Sequence, residues 1–303
     1  MESFALVLVY LIIGALLRKL PQFPQETGLV LNQFVLFVAL PALVLQKIPL
    51  LEFSSQLWLP AITPWVLLVI VAALIILAGK FWHWEKTTVG ALLVVLPLGN
   101  TSFLGFPMVE AFFGEKALPF AMIYDQAGSF VALATYSTIL AAWYNPNAAT
   151  PTTGQIATRI LTFPSFIALA LALALKPWPY PAFFSLILDS IAATLVPVIM
   201  IAVGFQFRLQ LDNKETKPLI FALGVKLFLM PLLALGFLSL FNPDPLLLQV
   251  VVFEAAMPPM VSAGAIAIGA GLALRLVPAL VGLGLLLSFI SLPLWYLLLQ
   301  LYL

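Results

Sequence analysis

Glu110, Asp125, Asp189, Lys226 and Glu254 all fall inside stretches that are otherwise apolar enough to cross a bilayer. An ionised group in hydrocarbon is costly, so such residues face a cavity or one another, and by default they mark an ion or substrate pathway. Glu254 stands three residues before Met257, at the entry to Ala256-Met-Pro-Pro-Met-Val-Ser-Ala-Gly264. A comparable stretch, Pro97-Leu-Gly-Asn-Thr-Ser-Phe-Leu-Gly-Phe-Pro107, carries Asn100, Thr101 and Ser102. Proline removes a backbone donor and crowds the preceding turn, and glycine weakens a helix. Both stretches are therefore expected to break near mid-membrane, with Gly99, Gly105, Pro107, Pro259 and Gly264 as the break residues. Lipid cannot satisfy the backbone groups so freed. Interrupted backbone at that depth survives only where protein buries it or where it lines a watery cavity, which points to a transport site.

Past each break a new half-helix begins, with unpaired N–H groups and the positive end of its dipole directed at the membrane centre. Anions are favoured there. Asn100 offers an amide, and Thr101, Ser102 and Ser262 offer hydroxyls, all able to hold a carboxylate without a fixed positive charge. Met257 and Pro258 at the second break, and Asn32, complete the candidate substrate site. Asn100 and Thr101 are equally suited to capping the half-helix. Lys226 needs a carboxylate partner, which Asp189 or Asp125 could supply; a purely structural ion pair is the alternative. Asn32 and Asp189 are both expected to face the crossing, and Asp125 is a candidate acceptor for the broken backbone.

Composition sets the class that must position these groups. The chain has 303 residues, of which 63% are hydrophobic and only 8% charged, with a mean hydropathy of +1.15, as in a polytopic helical membrane protein. A bilayer requires about 20 apolar residues per helix. Ten such segments are expected, at 3–19, 27–46, 58–79, 88–113, 117–143, 160–176, 183–207, 217–241, 246–272 and 276–302. The first is read as a span rather than a cleaved signal, since Glu2 precedes it and Arg18-Lys19 follow. With ten spans, Arg18, Lys19, Lys80, Lys86, Arg159, Arg208, Lys214, Lys217 and Arg275 share one side, against Lys47, Lys116 and Lys176 on the other. That side is expected to be cytoplasmic, which places both termini outside a plasma or inner membrane. His83, between Trp82 and Trp84, fits an aromatic belt and suggests no metal. A net charge of +1 carries no nucleic-acid signature, and the absence of cysteine excludes disulfides and thiol catalysis.

The polar connection Asn145-Pro-Asn-Ala-Ala-Thr-Pro-Thr-Thr-Gly-Gln155 reads as a cytoplasmic linker between two halves, 1–143 and 160–303, with 144–159 between them. Shifting the first half by 157 residues sets Val94-Val95 on Val251-Val252, Asn100 on Met257, Gly114 on Gly271 and Asn32 on Asp189. An odd number of helices per half makes the second half inverted relative to the first. The expected fold is thus an all-α polytopic membrane protein, ten transmembrane helices in a 5+5 inverted repeat with helices 4 and 9 broken and crossing.

At these residues the chain resembles a known family. Gly99-Asn-Thr-Ser-Phe-Leu-Gly-Phe-Pro107, then Phe113-Gly-Glu-Lys-Ala-Leu118 and Tyr124-Asp-Gln126, are similar to motifs of the auxin efflux carriers. Ala256-Met-Pro-Pro259 and Ser288-Phe-Ile-Ser-Leu-Pro-Leu-Trp295 resemble that family's last two helices, so the likeness spans the chain. It implies a fold shared distantly with bile acid–sodium symporters, and secondary transport of organic anions such as dicarboxylates or indole acetic acid. Ser102 replaces the last glycine of the usual Gly-Asn-Thr-Gly, Gly271-Leu-Ala-Leu-Arg275 departs from the common Tyr-Gly-x-Asp, and the plant carriers' long loop is absent. In the symporter relatives a similarly placed glutamate ligates sodium. Asn100, Ser129 and Glu254 are accordingly the candidate sodium ligands, or Glu254 could carry a coupling proton; a vestibule position for Glu254 is the alternative. Glu254, Asp125, Ser129, Asp189 and Lys226 form the ion-coupling set.

Enzymatic readings fare poorly. Tyr124-Asp125 imitates half of an intramembrane aspartyl protease, but Gly282-Leu-Gly284 is followed by Leu285 where a second aspartate is needed. No Gly-x-Ser-x-Gly or His-Glu-x-x-His occurs, and one histidine cannot build a two-His metal site. The expectation is a non-enzymatic carrier of small carboxylates, possible substrates extending to auxin-like aromatic acids, working by alternating access without a cofactor beyond sodium or proton coupling. An ion channel or a transporter-like sensor of organic acids is the alternative. Its partners would be the organic anion and the lipid bilayer, with no nucleic acid, and a homodimer is a candidate assembly.

Overall fold

The computed structural model describes residues 2–50, 56–145, 152–206 and 215–302. Its helices, in chain order, are α1 (Glu2–Leu17), α2 (Thr27–Lys47), α3 (Trp58–Phe81), α4 (Lys86–Val95), α5 (Thr101–Phe113), α6 (Glu115–Tyr144), α7 (Thr153–Leu161) and α8 (Pro164–Leu175). They continue with α9 (Ala182–Gln206), α10 (Thr216–Ser239), α11 (Pro245–Ala255), α12 (Val261–Gly269) and α13 (Leu276–Tyr302). Six helices, α2, α3, α6, α9, α10 and α13, are long and apolar enough to cross a membrane. No strand occurs among the described residues, and the protein is an all-helical, multi-pass membrane protein.

Proline shapes several of these helices without ending them. A π-helical turn occupies Val35–Ala39, Thr101–Gly105 and Val225–Leu229, and in each case a proline follows two residues later: Pro41, Pro107 and Pro231. Proline has no N–H and its ring collides with the carbonyl four residues back. The wider π turn moves that carbonyl aside and lets the helix continue. Pro107 therefore lies within a continuous helix, not at a break.

The true interruptions are short. α4 ends at Val95 and α5 begins at Thr101; α11 ends at Ala255 and α12 begins at Val261. Gly99 and Pro259 sit inside these gaps, facing each other in an isolated antiparallel bridge. Gly105 and Gly264, expected at the breaks, instead belong to the half-helices that follow. The two gaps correspond at a spacing of 160 residues, so Asn100 is matched by Met260, not Met257. Beyond them the spacing returns to 157, since Gly114 and Gly271 both close their half-helices with positive φ, 81° and 73°. The gaps are thus spaced differently from the two glycines, and the 157-residue shift read from sequence does not set one gap on the other. The half-helix from Thr101 to Phe113 is three residues longer than the stretch from Val261 to Ala270, and its first turn is π-helical.

The crossing lies at the centre of the molecule. Gly90–Val95 and Val250–Ala255 are buried on every side, and α4 packs on α12 while α11 packs on α5. α1 runs against α9, and α8 against α2. The first of these contacts is unusually close. A Cβ on Gly14 would fall 2.0 Å from the Ile201 carbonyl oxygen, and one on Gly204 would fall 2.0 Å from that of Leu11. Small residues that let backbones touch are how helices associate in lipid, where apolar side chains gain nothing from leaving water. Large apolar side chains such as Ile12, Leu16, Phe183 and Leu186 are left on the outer surface, as lipid contact requires.

Part of the segment read as a linker is helical. Thr152 accepts from the Gln155 N–H while the Gln155 side chain accepts from the Thr152 N–H, and this capping box opens α7. Arg208 and Lys214, used in the charge-bias argument, and residues 146–151 of the linker lie outside the described residues.

Candidate functional site

Two hydrogen bonds join the gaps. The Asn100 N–H donates to the Pro258 carbonyl at 2.8 Å, and the Met260 N–H donates to the Leu98 carbonyl at 3.1 Å. Each gap thereby satisfies part of the other's freed backbone, which neither could do in lipid. Inside α5, the Leu104 and Gly105 N–H groups both donate to the Asn100 carbonyl, at 3.1 and 3.0 Å. The N–H groups of the residues before them, in the helix's first turn, have no carbonyl behind them and carry the positive end of the dipole.

Asn100 occupies the N-cap position of α5, yet its side chain makes no capping bond. It is only 3% exposed, and its Nδ2 has no partner. Asn100 lines a cavity of about 180 Å³ together with Ser102, Asp125, Met260 and Ser262, walled by Phe103, Phe130 and Phe163. Phe103 also borders a second cavity of about 380 Å³, lined mostly by apolar residues of α12 and α13 and by Asn32 and Gln206. Asn32 presents a buried Oδ1 without a partner there. No basic side chain lines either cavity among the described residues.

Two of the three hydroxyls expected to hold substrate, those of Thr101 and Ser102, are already engaged. Thr101 Oγ1 and Ser102 Oγ each donate to Asp125 Oδ1 at 2.5 Å, and Gln126 Nε2 donates to Asp125 Oδ2 at 2.8 Å. Three donors on a carboxylate that is 1% exposed compensate much of its lost hydration. Asp125 thus accepts from side chains of the first turn past the break and of its own helix, α6. Thr101 is fully buried, and Met257 and Pro258 are absent from the cavity lining, Pro258 contributing its carbonyl to the crossing.

The ion-coupling candidates separate into distinct places. Asp189 is exposed and accepts a hydrogen bond from the Gln46 amide, so it neither faces the crossing nor pairs with Lys226. Its sequence match with Asn32 does not extend to environment, because Asn32 points into a cavity. Ser129 is buried in α6, and neither it nor Glu254 lines the cavity holding Asn100. Glu254 is fully buried at the end of α11, with both carboxylate oxygens lacking hydrogen-bond partners. The charges within its electrostatic reach are Lys226 and Asp125. Lys226, 1% exposed, has Met230 Sδ at 3.4 Å and, among the described residues, no carboxylate oxygen within 4 Å. Farther out, Lys47 at the end of α2 pairs with Glu115 at 2.6 Å, and Trp82 stacks on Trp84 beside Phe221.

Sequence reasoning missed Met260, which takes the place paired with Asn100, and Phe103, which separates the cavities. Gln126 was visible beside Asp125 as a donor in the same motif.

A polytopic helical protein with two interrupted helices bonded to each other beside a small cavity carrying a few polar groups is built as a transporter. The sequence profile of the family described as membrane transport protein matches residues 1–296, and the chain belongs to that family, the family of the auxin efflux carriers. It is 26% identical over 297 residues to a protein of Methanothermobacter thermautotrophicus described as an uncharacterized transporter, covering 97% of this chain and 96% of that one. A second protein so described, from Methanocaldococcus jannaschii, is 26% identical over 272 residues, 85% of each chain. The protein is a membrane transporter and not an enzyme.

Proposed function

We propose that the protein is a secondary carrier of small organic anions, binding them at the crossing of two broken helices and exposing that site alternately to the two sides. The observation that carries this reading is Asn100: a buried amide with an unpartnered Nδ2, set at the start of a half-helix and bordering a cavity that Ser102, Asp125 and Ser262 also line. A carboxylate there would meet the amide and the first-turn N–H groups, with no fixed cation to retain it.

The same reading takes the helices as ten spans, α4 with α5 and α11 with α12 forming the broken fourth and ninth, in two inverted five-helix halves. Support comes from contacts that exchange between halves. The α1–α9 contact has its counterpart in α8–α2, and the α4–α12 contact in α11–α5. The bonds Asn100 to Pro258 and Met260 to Leu98 likewise interchange under the 160-residue spacing. Charge bias favours a cytoplasmic position for Arg18, Lys80, Lys86 and Arg275, hence for the α7 segment, in a plasma or inner membrane.

The deciding experiment is uptake and counterflow in proteoliposomes with a panel of mono- and dicarboxylates. Saturable exchange of at least one of them supports the reading. Conductance without saturation or counterflow would favour a channel instead.

A further inference from the structure

We propose that Lys226 is a resident counter-ion of the crossing, its ammonium standing where Glu254 would otherwise recruit a monovalent cation from solution. This goes beyond the transport reading and does not depend on which cargo is carried.

The argument starts from two buried groups that lack direct partners. Glu254 is 0% exposed and neither of its oxygens accepts a hydrogen bond. Lys226 is 1% exposed, and its ammonium has only a thioether sulfur, a weak acceptor, within bonding distance. Either charge alone would be prohibitive at this depth. They approach the same broken helix from different elements, α11 and α10. A Cβ on Gly105 would lie 2.5 Å from Glu254 Oε2, and a Cβ on Gly99 would lie 3.4 Å from Lys226 Nζ and 3.4 Å from the Glu254 carbonyl oxygen. The two glycines leave the room in which the two charges sit.

Among the described residues no other cation competes for Glu254. The remaining charge within its reach is Asp125, which is of like sign and already has three donors. Lys226 is therefore the available compensation, and its long flexible stem allows it to follow Glu254 if the crossing shifts. A lysine tethered in this way cannot dissociate or be exchanged. Without it, the two unpartnered Glu254 oxygens would be left uncompensated, and a hard monovalent cation, which prefers carboxylate oxygen, is what solution can supply.

The test uses thermal unfolding of the purified full-length protein in detergent, in chloride salts of choline, sodium, potassium and lithium at matched ionic strength. The wild type should melt at one temperature in all four. Lys226→Met should melt lower in choline and rise by roughly 3 °C or more when a small alkali cation replaces it. Adding Glu254→Gln should restore both the higher melting temperature and the indifference to cation. If Lys226→Met alone yields no folded protein, recovery of folded Lys226→Met/Glu254→Gln supports the pair, and failure of both overturns it. A wild type stabilised specifically by one alkali cation, or a single variant as stable and as indifferent as the wild type, also overturns the proposal. Because no cargo enters the assay, such a failure would leave the transport reading standing.

Discussion

Thr101 Oγ1 donates to Asp125 Oδ1 at 2.5 Å and so ties the first turn past the break to the neighbouring helix α6. Ser102 repeats the connection at the same distance and on the same oxygen. The half-helix is thereby held by its side chains at the point where its backbone has no partners of its own. Removing both hydroxyls with Thr101→Val/Ser102→Ala leaves Asp125 with one donor. Hydrogen bonds to a charged group contribute about 1.5–3 kcal/mol each, so unfolding in detergent should shift down by roughly 3–6 kcal/mol. In an Asp125→Asn background the same pair of substitutions should cost at least about 1 kcal/mol less, and equal costs in both backgrounds would show that the hydroxyls do not serve Asp125.

Asn100→Ala should weaken substrate binding while leaving a monodisperse, folded protein. The amide makes no capping bond, so its loss does not open the helix end. A carboxylate deprived of one good donor loses about 1–3 kcal/mol, or roughly 5–150-fold in affinity. Binding measured directly on the purified variant decides the matter. Unchanged affinity would remove Asn100 from the site.

Gly204→Val should prevent folding or lower the melting temperature sharply, because its Cβ would lie 2.0 Å from the Leu11 carbonyl oxygen, and backbone cannot step aside as a side chain can. Gly224→Ala is the control. Nothing lies within 4 Å of its Cβ and the position is helical, so the substitution should be neutral or stabilise by about 0.4–1 kcal/mol.

Cysteines placed at Gln155 and Lys116 should be labelled from opposite sides by a membrane-impermeant reagent, Gln155 from the cytoplasm and Lys116 from outside. Both positions are exposed and the native chain has no cysteine to interfere. Labelling of the two from the same side would contradict the ten-span reading, and reversed labelling would contradict the charge bias alone.

The sequence made the two interruptions legible because proline and glycine act locally and leave a composition that no continuous span shares. It did not reveal where within each stretch the helix stops. Pro107 reads as a breaker on its own terms, yet the π turn before it absorbs the clash, and that accommodation depends on the turn's geometry. Gly114 and Gly271, set together by the 157-residue shift, both have positive φ, which explains why each is glycine. The same spacing then mispaired Asn100, because a length change lies between the gap and those glycines. Asp189 illustrates a different limit. Membership of an apolar stretch says that a residue is at membrane depth or near it, but not which face of the helix it occupies, and Asp189 lies on an exposed one. The α7 capping box, by contrast, was present in the letters Thr152 to Gln155 and needed only to be looked for.

The unequal lengths of the two half-helices have a consequence for traffic through the molecule. From the crossing, the way out past Gly114 follows a half-helix three residues longer than the way past Gly271, about 4.5 Å at 1.5 Å per residue. If cargo passes through the crossing as proposed, the two exits differ in depth, and a passenger meets water sooner on one face than on the other. On that reading, half-saturation measured from one face need not equal that measured from the other, and each direction calls for its own measurement.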